Sequence, residues 1–189
     1  MKAVEPIRDL KKINTMRRYL KGKSIRDYAL FVVGINVALR ISDLLELTWN
    51  DILDENRDFK ILILKEGKTQ KMRNIKLNQA SRKALEELLE TLDTYSMAGS
   101  IFKSREGENN PISRQQALNI LKDAAEAVGV KENIGTHSLR KTWGYHAWKS
   151  GYNPALIMET LNHSNLSVTK RYLGIRQDEI NDLYENLNI

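Results

Sequence analysis

Apolar residues return at helical spacing along most of the chain, and the exceptions locate one β region. Ile7, Leu10, Ile13, Met16 and Leu20 form a stripe that predicts a first helix. Ser24, with Asp27 three residues on, is a capping-box start for a second helix reaching about Leu39. A short third helix should carry Ile41 to Leu47, with Arg40 at its beginning. The period then changes. Phe59 to Leu64 and Met72 to Leu77 are short β-like runs joined by Glu66-Gly67-Lys68-Thr69-Gln70, a hairpin connection.

Helical spacing resumes with Leu85, Leu88, Leu89 and Leu92. The polar stretch from about Ser96 to Pro111 is expected to be a mobile loop. Ser113 can cap a helix whose stripe is Ala117, Leu121, Ala124 and Val128, ended by Gly129. Short helices follow at 136–150, 154–162 and 166–172, then a terminal one near 177–187. The expected fold is mainly α with a small antiparallel β-sheet (α+β), and residues 1–189 read as one domain.

Composition narrows the chemistry. With 41% hydrophobic and 29% charged residues among 189, the chain reads as soluble and globular. No apolar run approaches the roughly 20 residues that cross a bilayer, and a signal-peptide core is missing at the start. A cytoplasmic, nucleoid-associated location with no membrane partner is therefore expected. Zero cysteines exclude disulfides, thiolate metal sites and cysteine nucleophiles. The net charge of +6 is concentrated: residues 1–27 hold nine Lys/Arg against Glu5, Asp9 and Asp27, and the rest sums to zero. Arg17, Arg18 and Lys21 in that segment are candidate phosphate contacts, because polyanions reward clustered cations through counterion release.

The last third carries the candidate chemistry. His137-Ser-Leu-Arg140 is followed by Leu161-Asn-His163 and, nine residues later, by Tyr172. With Arg40 in Ala38-Leu-Arg40-Ile-Ser-Asp43 and Lys68 in Gly67-Lys68-Thr69, the set offers two guanidiniums, two imidazoles, an ammonium and a phenol. That order suits attack on a phosphodiester. Guanidinium binds phosphate oxygens as a planar fork and stays charged, so Arg40 and Arg140 are the expected clamp. Asp43 lies one turn beyond Arg40 and can orient it. His137 shares a helical face with Arg140 and can take a proton from the nucleophile or hydrogen-bond a non-bridging oxygen, while His163 is the second imidazole, expected to donate to such an oxygen. His146 reads as structural. Three histidines without ligand spacing or a partner thiol do not suggest zinc. Gly67-Lys68-Thr69 is no P-loop either, since the first glycine would fall at Leu62.

Taken together, these residues resemble the catalytic set of the tyrosine recombinase (phage integrase) family, over about residues 6 to 175. The resemblance singles out Tyr172 among seven tyrosines as the nucleophile, through its spacing and its Thr169-Lys170-Arg171-Tyr172 context. It implies that Lys68 protonates the leaving 5′ oxygen, with Lys65 and Lys71 as competitors. Lys71, Arg73 and Arg114 are further candidate DNA contacts.

The implied function is site-specific DNA recombination or integration through a 3′-phosphotyrosyl intermediate, on the family's catalytic-domain fold. The alternatives are a type IB topoisomerase-like enzyme and a non-catalytic DNA-binding regulator. No cofactor and no metal are expected. The implied partner is double-stranded DNA, bound by a homotetramer on two sites, with a monomer or weak dimer in its absence. Residues 177–189 would form a helix that docks on a neighbouring protomer. Family members usually carry an N-terminal helical domain before the catalytic one. With Met1 so near the first helix, this chain reads as a short form without it. Ala38 and Asn162 stand where the family usually has glycine. Alanine is expected to be a harmless small-for-small change, and Asn162 to sit in left-handed backbone.

Overall fold

The computed structural model describes residues 4–107, 109–175 and 177–187. Its first helix, α1 (Leu10–Lys23), begins later than the apolar stripe predicts, with Asp9 as N-cap accepting from Lys11 N at 2.7 Å. Ile7 is buried all the same, in a non-helical lead-in laid along a later helix. Its N–H donates to Thr142 Oγ1 at 2.9 Å, and Ser138 Oγ donates to the Glu5 carbonyl at 2.6 Å. Pro6 disfavours helical backbone at Glu5, and the Asp9 cap sets the start. Leu10, on the predicted buried face, is 62% exposed.

The helix α2 (Ile25–Val37) is apolar nearly all round and packs against α1 and the later helices over Gln79–Leu89 and Ser138–Lys149, the arrangement its composition demands. Ser24 caps it by accepting from Asp27 N. It stops at Val37 because Ala38 is left-handed (φ 54°). That corrects the small-for-small expectation: a side chain here costs about 1–2 kcal/mol of backbone strain. Burial of the Ala38 methyl returns about 0.8 kcal/mol, which offsets part of that strain.

Next come α3 (Ile41–Leu45), with Arg40 as its N-cap residue, and α4 (Trp49–Ile52), a turn that periodicity over so few residues does not reveal. Strands β1 (Leu62–Lys65) and β2 (Met72–Ile75) pair antiparallel, with Leu62 opposite Ile75 and Lys65 opposite Met72. The helix α5 (Gln79–Leu89) follows, capped by Asn78. The stretch expected to be a mobile loop is pinned instead. Bridges join Thr48 to Ser100 and Lys103 to Pro111, and Ile101 and Phe102 are buried.

The remaining helices are α6 (Arg114–Ala127), with the expected Ser113 cap, α7 (Ser138–Lys149), α8 (Pro154–Thr160), α9 (Leu166–Leu173) and α10 (Gln177–Asn186). The fold is thus mainly α with a small antiparallel sheet, as expected. Two glycines permit the close packing that positions the site. A Cβ at Gly34 would meet Leu139 Cδ1 at 2.5 Å, and one at Gly144 would meet Leu173 Cδ2 at 2.6 Å. The second of these seats α9 against α7, and α9 carries Tyr172.

Candidate active site

Arg40 and Arg140 come from helices far apart in sequence and converge on one carboxylate. Glu66, just past β1, is completely buried (0% exposed). Its Oε2 accepts from Arg40 Nη1 at 2.7 Å and from Thr69 Oγ1 at 2.6 Å. Its Oε1 lies 3.4 Å from Arg73 Nη1 and 3.5 Å from Arg140 Nη1. Burial pushes this carboxyl up, but the bonds from Thr69 and Arg40 and the charges of Arg40 and Arg140 outweigh it. They hold its pKa at about 2. Asp43 Oδ2 is 4.0 Å from Arg40 Nη1, and Asp43 Oδ1 accepts from Gly67 N at 3.2 Å. The expected orienting carboxylate is therefore joined by a closer one.

Arg140 is held from behind. Its two terminal nitrogens donate to the carbonyls of Ala38 (2.6 Å) and Leu161 (2.7 Å). The left-handed turn at Ala38 ends α2 beside this guanidinium. The structure thus provides a buried fork whose position is set before any ligand arrives, the arrangement that electrostatic stabilisation of a transferring phosphate requires.

Both histidines lie near these cations. His137 is the residue before α7, exposed overall, yet crowding at its ring and then the charges of Arg114, Arg140, Lys141 and Arg40 lower its pKa below the ordinary 6.5. His163 follows Asn162, whose φ of 50° is the left-handed conformation expected there. Burial, then Arg140 and Arg40, lower the pKa of His163 as well. Both shifts favour the neutral ring in the free protein. His163 Nδ1 is 3.1 Å from Thr169 Oγ1, which lies 3.4 Å from the Asn165 carbonyl. That chain assigns the Nδ1–H tautomer to His163.

Tyr172 packs its ring against the edge of His163, with centroids 4.8 Å apart, and Lys141 Nζ stands 4.8 Å over it. Its Oη is buried and meets no group with hydrogen-bond geometry among the described residues. Burial raises the phenol pKa above 10, opposed by the charges of Arg140 and Arg40 and, least, by the nearness of the Arg140 guanidinium as a donor. Such an orphaned buried hydroxyl is uncommon in a native fold.

The hairpin brings Lys68 to its exposed turn. Lys71 Nζ donates to Asn162 Oδ1 at 2.6 Å, and Arg73 turns inward to the Thr160 carbonyl and Glu66. Arg114 is exposed at the first turn of α6, near enough to act on His137. Arg17, Arg18 and Lys21 on α1 form a separate group beside Tyr28 of α2, with Lys21 paired to Glu87 at 2.7 Å. His146 is structural, as expected, its Nε2 lying 3.0 Å from the Ile7 carbonyl.

Sequence reading missed Glu66 and Lys141. Glu66 continues the inward positions Leu62 and Leu64 of β1, and a carboxylate on the buried side of a strand was a readable signal. Lys141 follows Arg140 in a helix and had no local mark.

Comparison with known proteins identifies the family and the fold. The phage integrase family profile matches residues 7–179. The chain is 41% identical over 185 residues to the probable integrase/recombinase YoeC of Bacillus subtilis (strain 168), covering 98% of this chain and 97% of that protein. In fold it resembles XerA recombinase, with a TM-score of 0.77 at 18% identity over 100% of this chain and 68% of the other. It also resembles XerH site-specific recombinase, solved bound to palindromic difH substrate as a post-cleavage complex. There the TM-score is 0.72 at 16% identity, over 97% of this chain and 54% of the other.

Proposed function

The chain belongs to the phage integrase family, and from that premise we propose that it breaks and rejoins DNA with Tyr172 as the nucleophile. One observation carries this reading: a buried phenol oxygen without a hydrogen-bond partner among the described residues, beside Arg140 and against His163. Arg40 and Arg140 would bind the non-bridging oxygens of the scissile phosphate. Because burial keeps Tyr172 protonated in the free protein, its proton must leave as attack proceeds, and neutral His137 is the base available. His163 would need protonation at Nε2 to donate to the phosphate, which an arriving anion favours. Lys68 would protonate the leaving 5′ oxygen.

The oxygen–phosphorus bond formed at Tyr172 replaces the one broken, leaving a 3′-phosphotyrosyl link and a free 5′-hydroxyl. Attack by that hydroxyl, or by one from a partner duplex, restores the phosphodiester. Bond energy is conserved in the covalent link, so nucleotide hydrolysis is not required.

A cyclic homotetramer on two duplexes would be the working assembly. Among the described residues α10 exposes Leu183 and Tyr184 at 60 and 80%, and Leu187 just after it is 62% exposed. An open groove of about 600 Å³ lies elsewhere on the domain, its apolar wall including Ile13, Ile35, Trp143, Leu156 and Ile157. A neighbour's α10 in this groove would join protomers head to tail. The tail after Tyr172 carries Asp178, Glu179, Asp182 and Glu185 against Arg176, a net −3, and of these only the Glu185 side chain lies among the described residues, where it is exposed.

A nicked suicide substrate tests the reading. Wild type should form a covalent adduct and Tyr172→Phe should form none while still binding DNA. Its melting temperature should change little, since the hydroxyl meets no partner with hydrogen-bond geometry among the described residues. An adduct of normal yield in Tyr172→Phe would move the nucleophile elsewhere. Binding without any adduct in wild type would favour a non-catalytic regulator, and plasmid relaxation without strand exchange a topoisomerase-like enzyme.

A further inference from the structure

Two guanidiniums poised for one phosphate repel each other until the phosphate arrives, and something in the free protein must hold them together. We propose that Glu66 is a positioning residue for strand cleavage, holding Arg40 and Arg140 as a pair and tying that pair to the hairpin carrying Lys68; this role rests on the Tyr172 cleavage reading. Its carboxylate is fully buried beneath both arginines, bonded to Arg40 at 2.7 Å and 3.5 Å from Arg140. The same Oε2 accepts from Thr69, the residue after Lys68, at 2.6 Å.

The backbone of Glu66 closes the same turn. Its N–H donates to the Lys71 carbonyl at 3.0 Å, and its own carbonyl accepts from Gln70 N at 2.8 Å. One residue thereby spans the base of the hairpin with its main chain and the arginine pair with its side chain. Any displacement of the turn is felt at Arg40, and an arginine drawn toward DNA pulls on the turn. Arg73 braces the carboxylate from β2 and the Thr160 carbonyl beyond it, so Glu66 has little room to follow. A neutral amide in its place would keep the shape but turn an NH₂ toward a guanidinium, donor against donor.

The test compares cleavage of an ordinary substrate with cleavage of one bearing a 5′-bridging phosphorothiolate, whose sulfur leaves without protonation. Glu66→Gln should cleave the ordinary substrate about 10- to 100-fold more slowly at saturating protein, with DNA affinity nearly unchanged. The phosphorothiolate should recover part of that loss, the part due to Lys68, and leave the part due to the arginines. Thr69→Val breaks only the hairpin tie, so its slowing should vanish on the phosphorothiolate. A carboxylate that serves folding alone would lower the melting temperature but leave cleavage per folded molecule at the wild-type rate on both substrates, and that result overturns the proposal. If Glu66→Gln does not fold, Thr69→Val decides: no slowing, or equal slowing on both substrates, overturns it. Absence of an adduct in wild type refutes the Tyr172 reading itself, and this role falls with it.

Discussion

Lys71 Nζ and Asn162 Oδ1 meet at 2.6 Å and join the β-hairpin to the turn that presents His163. Asn162 can serve because its left-handed backbone ends α8 and turns the chain toward α9. The hairpin is thereby anchored on one side of its tip, while Lys68 stands exposed at the turn itself.

That contrast separates the candidate acids. Lys68→Ala should cleave an ordinary substrate poorly and be substantially rescued by a 5′-bridging phosphorothiolate. Lys71→Ala should lose its anchor to Asn162 and show a smaller defect that the sulfur does not repair. Rescue of Lys71→Ala or Lys65→Ala instead of Lys68→Ala would reassign the acid.

Acid should erode stability in two stages. As pH falls below the ordinary 6.5, the unfolded chain protonates at His137 and His163 before the folded one does, because both are lowered in the fold. Glu66 adds a second stage. Its pKa drops from 4.5 to about 2 on folding, so its contribution is complete above 4.5 and is lost as pH falls toward 2. That interval corresponds to about 3 kcal/mol. Urea midpoints measured from pH 7 to pH 3 should therefore fall more steeply below 4.5 in wild type than in Glu66→Gln. Parallel curves would mean that Glu66 gains no net ionic stabilisation in the fold.

Neutralising Arg17, Arg18 and Lys21 together should weaken DNA binding across all sequences. Three independent phosphate contacts would flatten the log K against log salt slope by about 2.7 units. Lys21 is already paired with Glu87 and Arg17 is partly covered in the groove wall. A change of about 1 to 2 units is the expected result. An unchanged slope would return these residues to a solvated helix face.

Removal of residues 177–189 should spare single-site DNA binding and abolish synapsis and strand exchange. Gel-shift and recombination assays on the same truncated protein read both properties. Continued recombination, or simple unfolding, would mean that α10 packs on its own domain and does not link subunits.

The chain order by itself settled the helices with strong apolar stripes and caps, such as Ser113 on α6, and the one change of period that marks the hairpin. It also brought out the six-residue constellation, because spacing in a family motif is a property of the chain alone. Tertiary structure decided the rest. Ile7 is buried as predicted but outside any helix, because contacts with Thr142, 135 residues away, offered its backbone a partner that local periodicity cannot reveal. The expected mobile loop is fixed by a bridge from Ser100 to Thr48. Ala38 looked innocuous until its left-handed backbone and its carbonyl bond to Arg140 were seen together. Glu66 is the clearest case. The alternation of β1 could have placed Glu66 on the inward side, but only the convergence of Arg40, Arg73 and Arg140 on it makes it a buried counter-ion. The physical reason is one of range. Helical stripes and caps are set by neighbours a few residues away, whereas the charge balance at a buried site depends on groups that the chain brings together only when it folds.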